Sequence, residues 1–284
     1  MAAMFSREAL NPGVRLREVF GWAMYDFANS GYTTVVITAV FAAYFVGGVA
    51  GSAPWATLAW TSGLSLSYLI VMLTMPGLGA WADRVAGKRR LLMWVTAGCV
   101  LSTAALALVG PGQVALGLLI LVISNTFFSY GESLTASFLP ELAKPQAMGR
   151  VSGWGWALGY IGGMLTLGVC LAYVLAAQAR GESGSQFVPV TMLITALVYG
   201  LAACVTFTLM REHAQPQPDA PVVGMLKSLQ GLAQTFRDAR PYQDFTRLMA
   251  CAVAYQGGVA VAISLAAIYA EQVIGFQPQE TMVL

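Results

Sequence analysis

The chain has 284 residues, of which 57% are hydrophobic and 10% charged, with a mean hydropathy of +0.68 and a formal net charge of +2. Soluble domains carry roughly 45–50% apolar and 25% charged residues, so a water-facing shell around a single core is excluded. The small positive balance carries no nucleic-acid footprint.

The first 18 residues hold Arg7, Arg15 and Arg17 beside Glu8 and Glu18, without the small-residue cleavage site that follows the short apolar core of a signal peptide. The first apolar run is therefore expected to be a retained helix. Spans are expected at 19–47, 57–80, 91–110, 113–138, 151–177, 188–210 and 246–270. Each is long enough to cross a hydrocarbon core of roughly 30 Å, and lipid leaves the backbone no form but a helix. If alternate connections share a side, 14 of the 15 basic residues fall together and only Arg180 lies opposite. That bias puts the N-terminus and the basic loops in the cytoplasm.

Acidic groups inside spans are costly, which makes Asp26 and Glu132 the default functional candidates. Asp26 lies seven residues after Val19 and Glu132 seven before Leu139 at the cytoplasmic end of span four, which puts both roughly 10 Å deep at 1.5 Å per residue. Each also belongs to a polar stripe at helical spacing: Trp22, Asp26, Asn29 and Thr33 on span one, and Asn125, Ser129 and Glu132 on span four. Such stripes line a polar cavity or join helices through buried hydrogen bonds. Glu132 is the candidate proton-coupling group. On span five Gly155, Gly159 and Gly163 recur at four-residue steps, which admits a close neighbour, as static packing or as a sliding contact.

Residues 211–245 form the one long connection. Its start is polar and Pro-rich, and Val223, Leu226, Leu229, Ala233 and Phe236 then recur at helical spacing beside Lys227, Arg237 and Arg240. An amphipathic helix along the cytoplasmic surface is expected there, the alternative being a loosely ordered basic loop. Cys99, Cys170, Cys204 and Cys251 fall inside spans without zinc-site spacing and read as packing residues. His213 reads as a solvated loop residue. No cofactor or metal is implied, and no HExxH pair, GxSxG elbow or phosphate-cradling loop suggests an enzyme. The chain stops at QETMVL as a further apolar run begins, as though cut short.

The connection after span two, GAWADRVAGKRR, resembles the signature loop of the major facilitator superfamily. Gly79, Asp83, Arg84, Gly87, Lys88, Arg89 and Arg90 match it, with one extra residue between Arg84 and Gly87. Three further segments, GWAMYDFANSGY, FLPELAKPQAMGRVSGWGWALGYIGG and AAIYAEQVIGF, resemble the branch related to fungal vacuolar amino-acid exporters of autophagy. That resemblance implies twelve helices, a monomer when full length, and a cytoplasmic loop that latches two halves. Span four lacks the Arg that many proton-coupled facilitators carry there.

The expected fold is thus an all-α integral membrane protein, a major-facilitator-type bundle. It would comprise a six-helix half over residues 1–210, a cytoplasmic linker over 211–245, and the first helix of a second half over 246–284. The expected function is alternating-access transport of a small polar solute, an amino acid being the resemblance's suggestion, with H+ or another coupling ion, in a bacterial inner membrane. Asp26, Asn29, Trp22, Thr33, Asn125 and Gln256 would contact the solute. A non-transporting receptor or a membrane-embedded enzyme is the alternative.

Overall fold

The computed structural model describes residues 6–213, 231, 234, 237–276, 280 and 281. Seven helices among them are long and apolar enough to cross a membrane: Leu16–Val49, Ala56–Val85, Lys88–Leu108, Val114–Leu142, Pro145–Ala179, Gly184–Leu209 and Gln243–Ile274. They are spans one to seven. Several run past the expected apolar limits at their charged ends, as span two does through Asp83 and Arg84. The helix continues into the headgroup layer, where charged side chains reach water and hydropathy no longer marks it. The amphipathic helix expected from Val223 to Phe236 lies outside the described residues.

Span one is the axis of the bundle. Its apolar stretch is 67% buried, against 11% for span seven. It packs against spans five and six along most of its length, and span four joins it to spans two and three. Span one is α-helical over Leu16–Tyr32 and widens into π-helical turns over Thr33–Ala39 and again over Phe45–Val49. The first widening coincides with the β-branched run from Thr33 to Thr38, whose stiff side chains crowd the preceding turn of an α-helix. Span seven leans on that widened stretch and on Phe41–Tyr44.

The two ends of the bundle differ in chemistry. At one end Leu10 and Ala143 form an isolated bridge, and the Lys144 N–H donates to the Ala9 carbonyl at 3.0 Å. At the same end Lys88 Nζ lies 3.0 Å from both Asp83 Oδ1 and Glu141 Oε1. The Glu212 carboxylate accepts from the backbone N–H groups of Lys88 (2.8 Å) and Arg89 (3.1 Å), so it caps span three with a charge that suits the helix dipole. At the opposite end the Gly112 N–H donates to Val49 and the Tyr44 hydroxyl to Val109. The N-terminal segment, the connections after spans two and four, and the end of span six therefore meet on one side.

That meeting gives His213, exposed as a loop residue should be, a partner. Its ring Nε2 stands 2.6 Å from Glu18 Oε2, and its backbone N–H donates to Glu141 Oε2 at 3.2 Å. Glu18 is only 1% exposed. A buried carboxylate needs a partner, and the residue supplying it is 195 positions away, beyond the reach of any local pattern.

Candidate functional site

Span one offers a different face to each neighbour, and the α-helical period sets which residue goes where. Trp22 and Tyr25 turn toward span four: the Trp22 indole donates to the Thr135 carbonyl at 2.8 Å, and the Tyr25 hydroxyl presses against Gly131. Tyr25 also joins Thr96 of span three at 2.9 Å. The Tyr199 hydroxyl of span six donates to Asn29 Oδ1 at 2.7 Å and lies 3.2 Å from the Tyr25 oxygen. Asn29 is 6% exposed, so its amide works within the junction of spans one, three and six.

Asp26 lies between these faces and turns to span five. A Cβ built on Gly155 or Gly159 would come within 3.3 Å of Asp26 Oδ2, so the two glycines make the room its carboxylate occupies. Gly155 also meets the Trp22 ring, Gly159 the Ser30 hydroxyl and Gly163 the Thr34 methyl. Thr33 donates to the Asn29 carbonyl and lies half-buried.

Glu132 follows Gly131 on span four and is exposed. It lies within electrostatic reach of Asp26. Measured along the helices, Asp26 is ten residues after Leu16 and Glu132 ten before Leu142, which places both roughly 15 Å in from the charged end at 1.5 Å per residue. Among the described residues no Lys or Arg pairs with either carboxylate. On the same face of span four Asn125 is fully buried, its Nδ2 donating to Ser67 Oγ of span two at 2.6 Å. Asn125 Oδ1 and Ser129 Oγ have no partner among the described residues.

Gln256 is exposed on span seven and does not join this group. Span seven contributes instead near its far end, where Glu271 lines a small recess with Tyr44, Phe187 and Val188. Sequence reasoning passed over Glu271. Its signal was available, an acidic residue within an apolar helix, and was missed because that helix was expected to end at 270. Among the described residues no cluster of His, Cys, Asp and Glu could hold a metal ion.

The described residues form an all-α bundle with seven membrane-length helices, the architecture of an MFS-type membrane protein. The family model described as "Vacuole effluxer Atg22 like" matches residues 59–284, and the chain belongs to that family. It is 29% identical over 255 residues to the "Uncharacterized MFS-type transporter YxiO" of Bacillus subtilis (strain 168). The match takes in 87% of this chain and 59% of the relative, so the chain spans about three fifths of that protein's length. No solved structure matches it.

Proposed function

We propose that the chain forms the N-terminal helical half, the linker and the first helix of the second half of a secondary active transporter. It would move a small polar solute by alternating access. The observation that carries this is the pair Asp26 and Glu132: two carboxylates at matched depth on spans one and four, with Asp26 in electrostatic reach of Glu132 and neither in an ion pair among the described residues. A carboxylate without a counter-charge inside a membrane is expensive to keep, and a pathway for a polar solute or a coupling ion gives it a reason. Asp26 then contacts the solute beside Gly155 and Gly159, and Glu132 carries the coupling proton. Trp22, Asn29 and Asn125 hold the surrounding helices in register. The family description names an effluxer, so export is the direction to test first, with amino acids as the first solutes.

The clustering of Lys88, Arg89, Lys144 and the N-terminal segment at one end supports a cytoplasmic N-terminus in a bacterial inner membrane. The loop from Gly79 to Arg90 is then the cytoplasmic latch, with Lys88 held between Asp83 and Glu141. No catalytic role is assigned to any residue.

The test is solute counterflow in proteoliposomes holding a full-length transporter that carries this chain, tried on a panel of amino acids. Asp26→Asn is expected to lower exchange at least tenfold, and Glu132→Gln to remove its dependence on external pH while leaving exchange measurable. Unchanged exchange in Asp26→Asn together with an unchanged pH profile in Glu132→Gln would dismiss the pathway.

A further inference from the structure

Away from the carboxylate pair, the end of span two together with spans three and six frames a groove of about 1360 Å³ at the charged end of the bundle. It is larger than the roughly 300–1,000 Å³ of ordinary small-molecule pockets. Its rim carries Arg89, Arg90 and Arg211, and its wall carries Trp81, Met93 and Trp94. The two chemistries are stacked along the helix: Arg89 and Arg90 lie in the first turn of span three, Met93 and Trp94 one turn on, and Ala97 a turn further. Charge lies at one level, and apolar surface continues below it toward the centre of the span.

The inner faces of spans three and six are occupied, since Thr96 and Tyr199 meet Tyr25 of span one. Trp94 and Leu101 lie on the opposite side of span three, and Leu197 and Leu201 on the opposite side of span six, exposed by 72%, 70%, 63% and 60%. The furrow below the arginines is therefore turned away from span one and toward lipid.

The charge at the rim is only partly offset. Arg89 Nη2 donates to the Phe207 carbonyl at 2.5 Å, while its Nε is buried without a partner among the described residues. Arg90 and Arg211 form no ion pair among the described residues. Glu212 is the acidic member of the lining, and its two oxygens are already taken by the backbone of Lys88 and Arg89. Three guanidinium groups, one with an unsatisfied N–H, thus face one carboxylate that is otherwise engaged.

We propose that this groove binds one anionic phospholipid from the cytoplasmic leaflet. Its phosphodiester lies on Arg89, Arg90 and Arg211, its glycerol lies between Trp81 and Trp94, and its acyl chains run down the furrow past Leu101 and Leu201. Guanidinium groups suit phosphate through paired N–H donors. Tryptophan suits the interfacial level, where one edge of the ring meets polar groups and the rest meets hydrocarbon. A soluble anion would need the arginines alone, and the apolar continuation is what selects a lipid. Bound there, the lipid bridges the start of span three to the end of span six, next to the Asp83–Lys88–Glu141 cluster.

The test uses the purified full-length transporter that carries this chain, in nanodiscs of phosphatidylcholine doped with dibrominated phosphatidylglycerol or, separately, dibrominated phosphatidylcholine, reading quenching of tryptophan fluorescence. Trp94→Phe identifies the share of the signal that comes from the groove. The groove signal is expected to prefer the anionic lipid about tenfold, and Arg90→Gln with Arg211→Gln to abolish most of that preference. Both arginines are unpaired among the described residues, so the double variant is expected to fold, and the lysine pair at the same positions should restore part of the preference. Removing Arg15 and Arg17, exposed at the same end, should leave it unchanged. Equal quenching by the two lipids would overturn the proposal, as would a groove signal blind to either lipid because another segment covers it. An equal loss in the Arg15/Arg17 variant would reduce it to general surface charge. Displacement by millimolar inorganic phosphate would reassign the site to a soluble anion.

Discussion

Tyr199 carries more of the interior than its surroundings in the sequence suggest. Its hydroxyl donates to Asn29 Oδ1 and touches Tyr25, so one oxygen ties span six to span one and, through Thr96, to span three. Tyr199→Phe keeps the ring and leaves Asn29 Oδ1 without that donor. A loss of about 1 kcal/mol is expected, within the range for buried hydrogen bonds in membrane bundles, read from thermal unfolding in detergent. Asn29→Ala in the Tyr199→Phe background should then cost much less than it does alone, because the two changes remove the same bond. A second expectation concerns Ala86, which ends span two with φ +47° while Gly87 beside it has φ −115°. The left-handed backbone costs a residue with a Cβ about 1–2 kcal/mol, partly offset by the greater entropy glycine loses on folding. Ala86→Gly is therefore expected to stabilise the chain by about 0.5–1 kcal/mol, measured by the same melts. No change, or a loss, would mean the turn is relaxed as it stands.

At the scale of elements, the contact of spans one and five decides where Asp26 points. A Cβ on Gly162 would overlap the backbone of Phe27, which cannot rotate aside, so Gly162→Ala must push the helices apart. A cost of about 1–3 kcal/mol is expected, as for overpacked cores. Gly168, on an exposed face of the same helix with nothing within 4 Å of its Cβ position, is the control. Gly168→Ala should be neutral or stabilising by up to about 1 kcal/mol through helix propensity alone. If both variants melt alike, close approach of the two backbones is not what holds spans one and five together. The glycine spacing was readable in the chain, but spacing gives a face and not a partner. Only the folded bundle assigns Gly155 and Gly159 to Asp26, Gly162 to Phe27 and Gly163 to Ser30 and Thr34.

For the whole molecule, the grouping of connections makes a topology that labelling can read. With Cys204 and Cys251 replaced by serine, Ser52→Cys and Glu182→Cys are expected to react with an impermeant maleimide from one side of the membrane, and Lys144→Cys only from the other. In spheroplasts the first two should label and the third should not. Labelling of all three, or of Lys144→Cys alone, would reverse or break the proposed orientation. Cys99 and Cys170 are buried and should stay unmodified until the protein unfolds.

The number and order of spans were legible because crossing lipid demands about 20 apolar residues in a row, a property of local composition that no neighbour can change. The candidate carboxylates were legible for the same reason, since a charge in such a run stands out wherever the helix packs. Partners were not legible. Glu18 with His213, Asn29 with Tyr199, and Lys88 with Glu141 join residues between 53 and 195 positions apart. Helical periodicity says only that such residues share a face. Which face meets which helix depends on how seven cylinders fill space around span one, and that is settled by close packing of side chains from distant segments. The sequence therefore determined that the chain enters the membrane, where it crosses, and which costly groups it takes along. The tertiary structure decided which of them face an open side, which are tied into helix junctions, and that the arginines of span three and span six come to frame one groove.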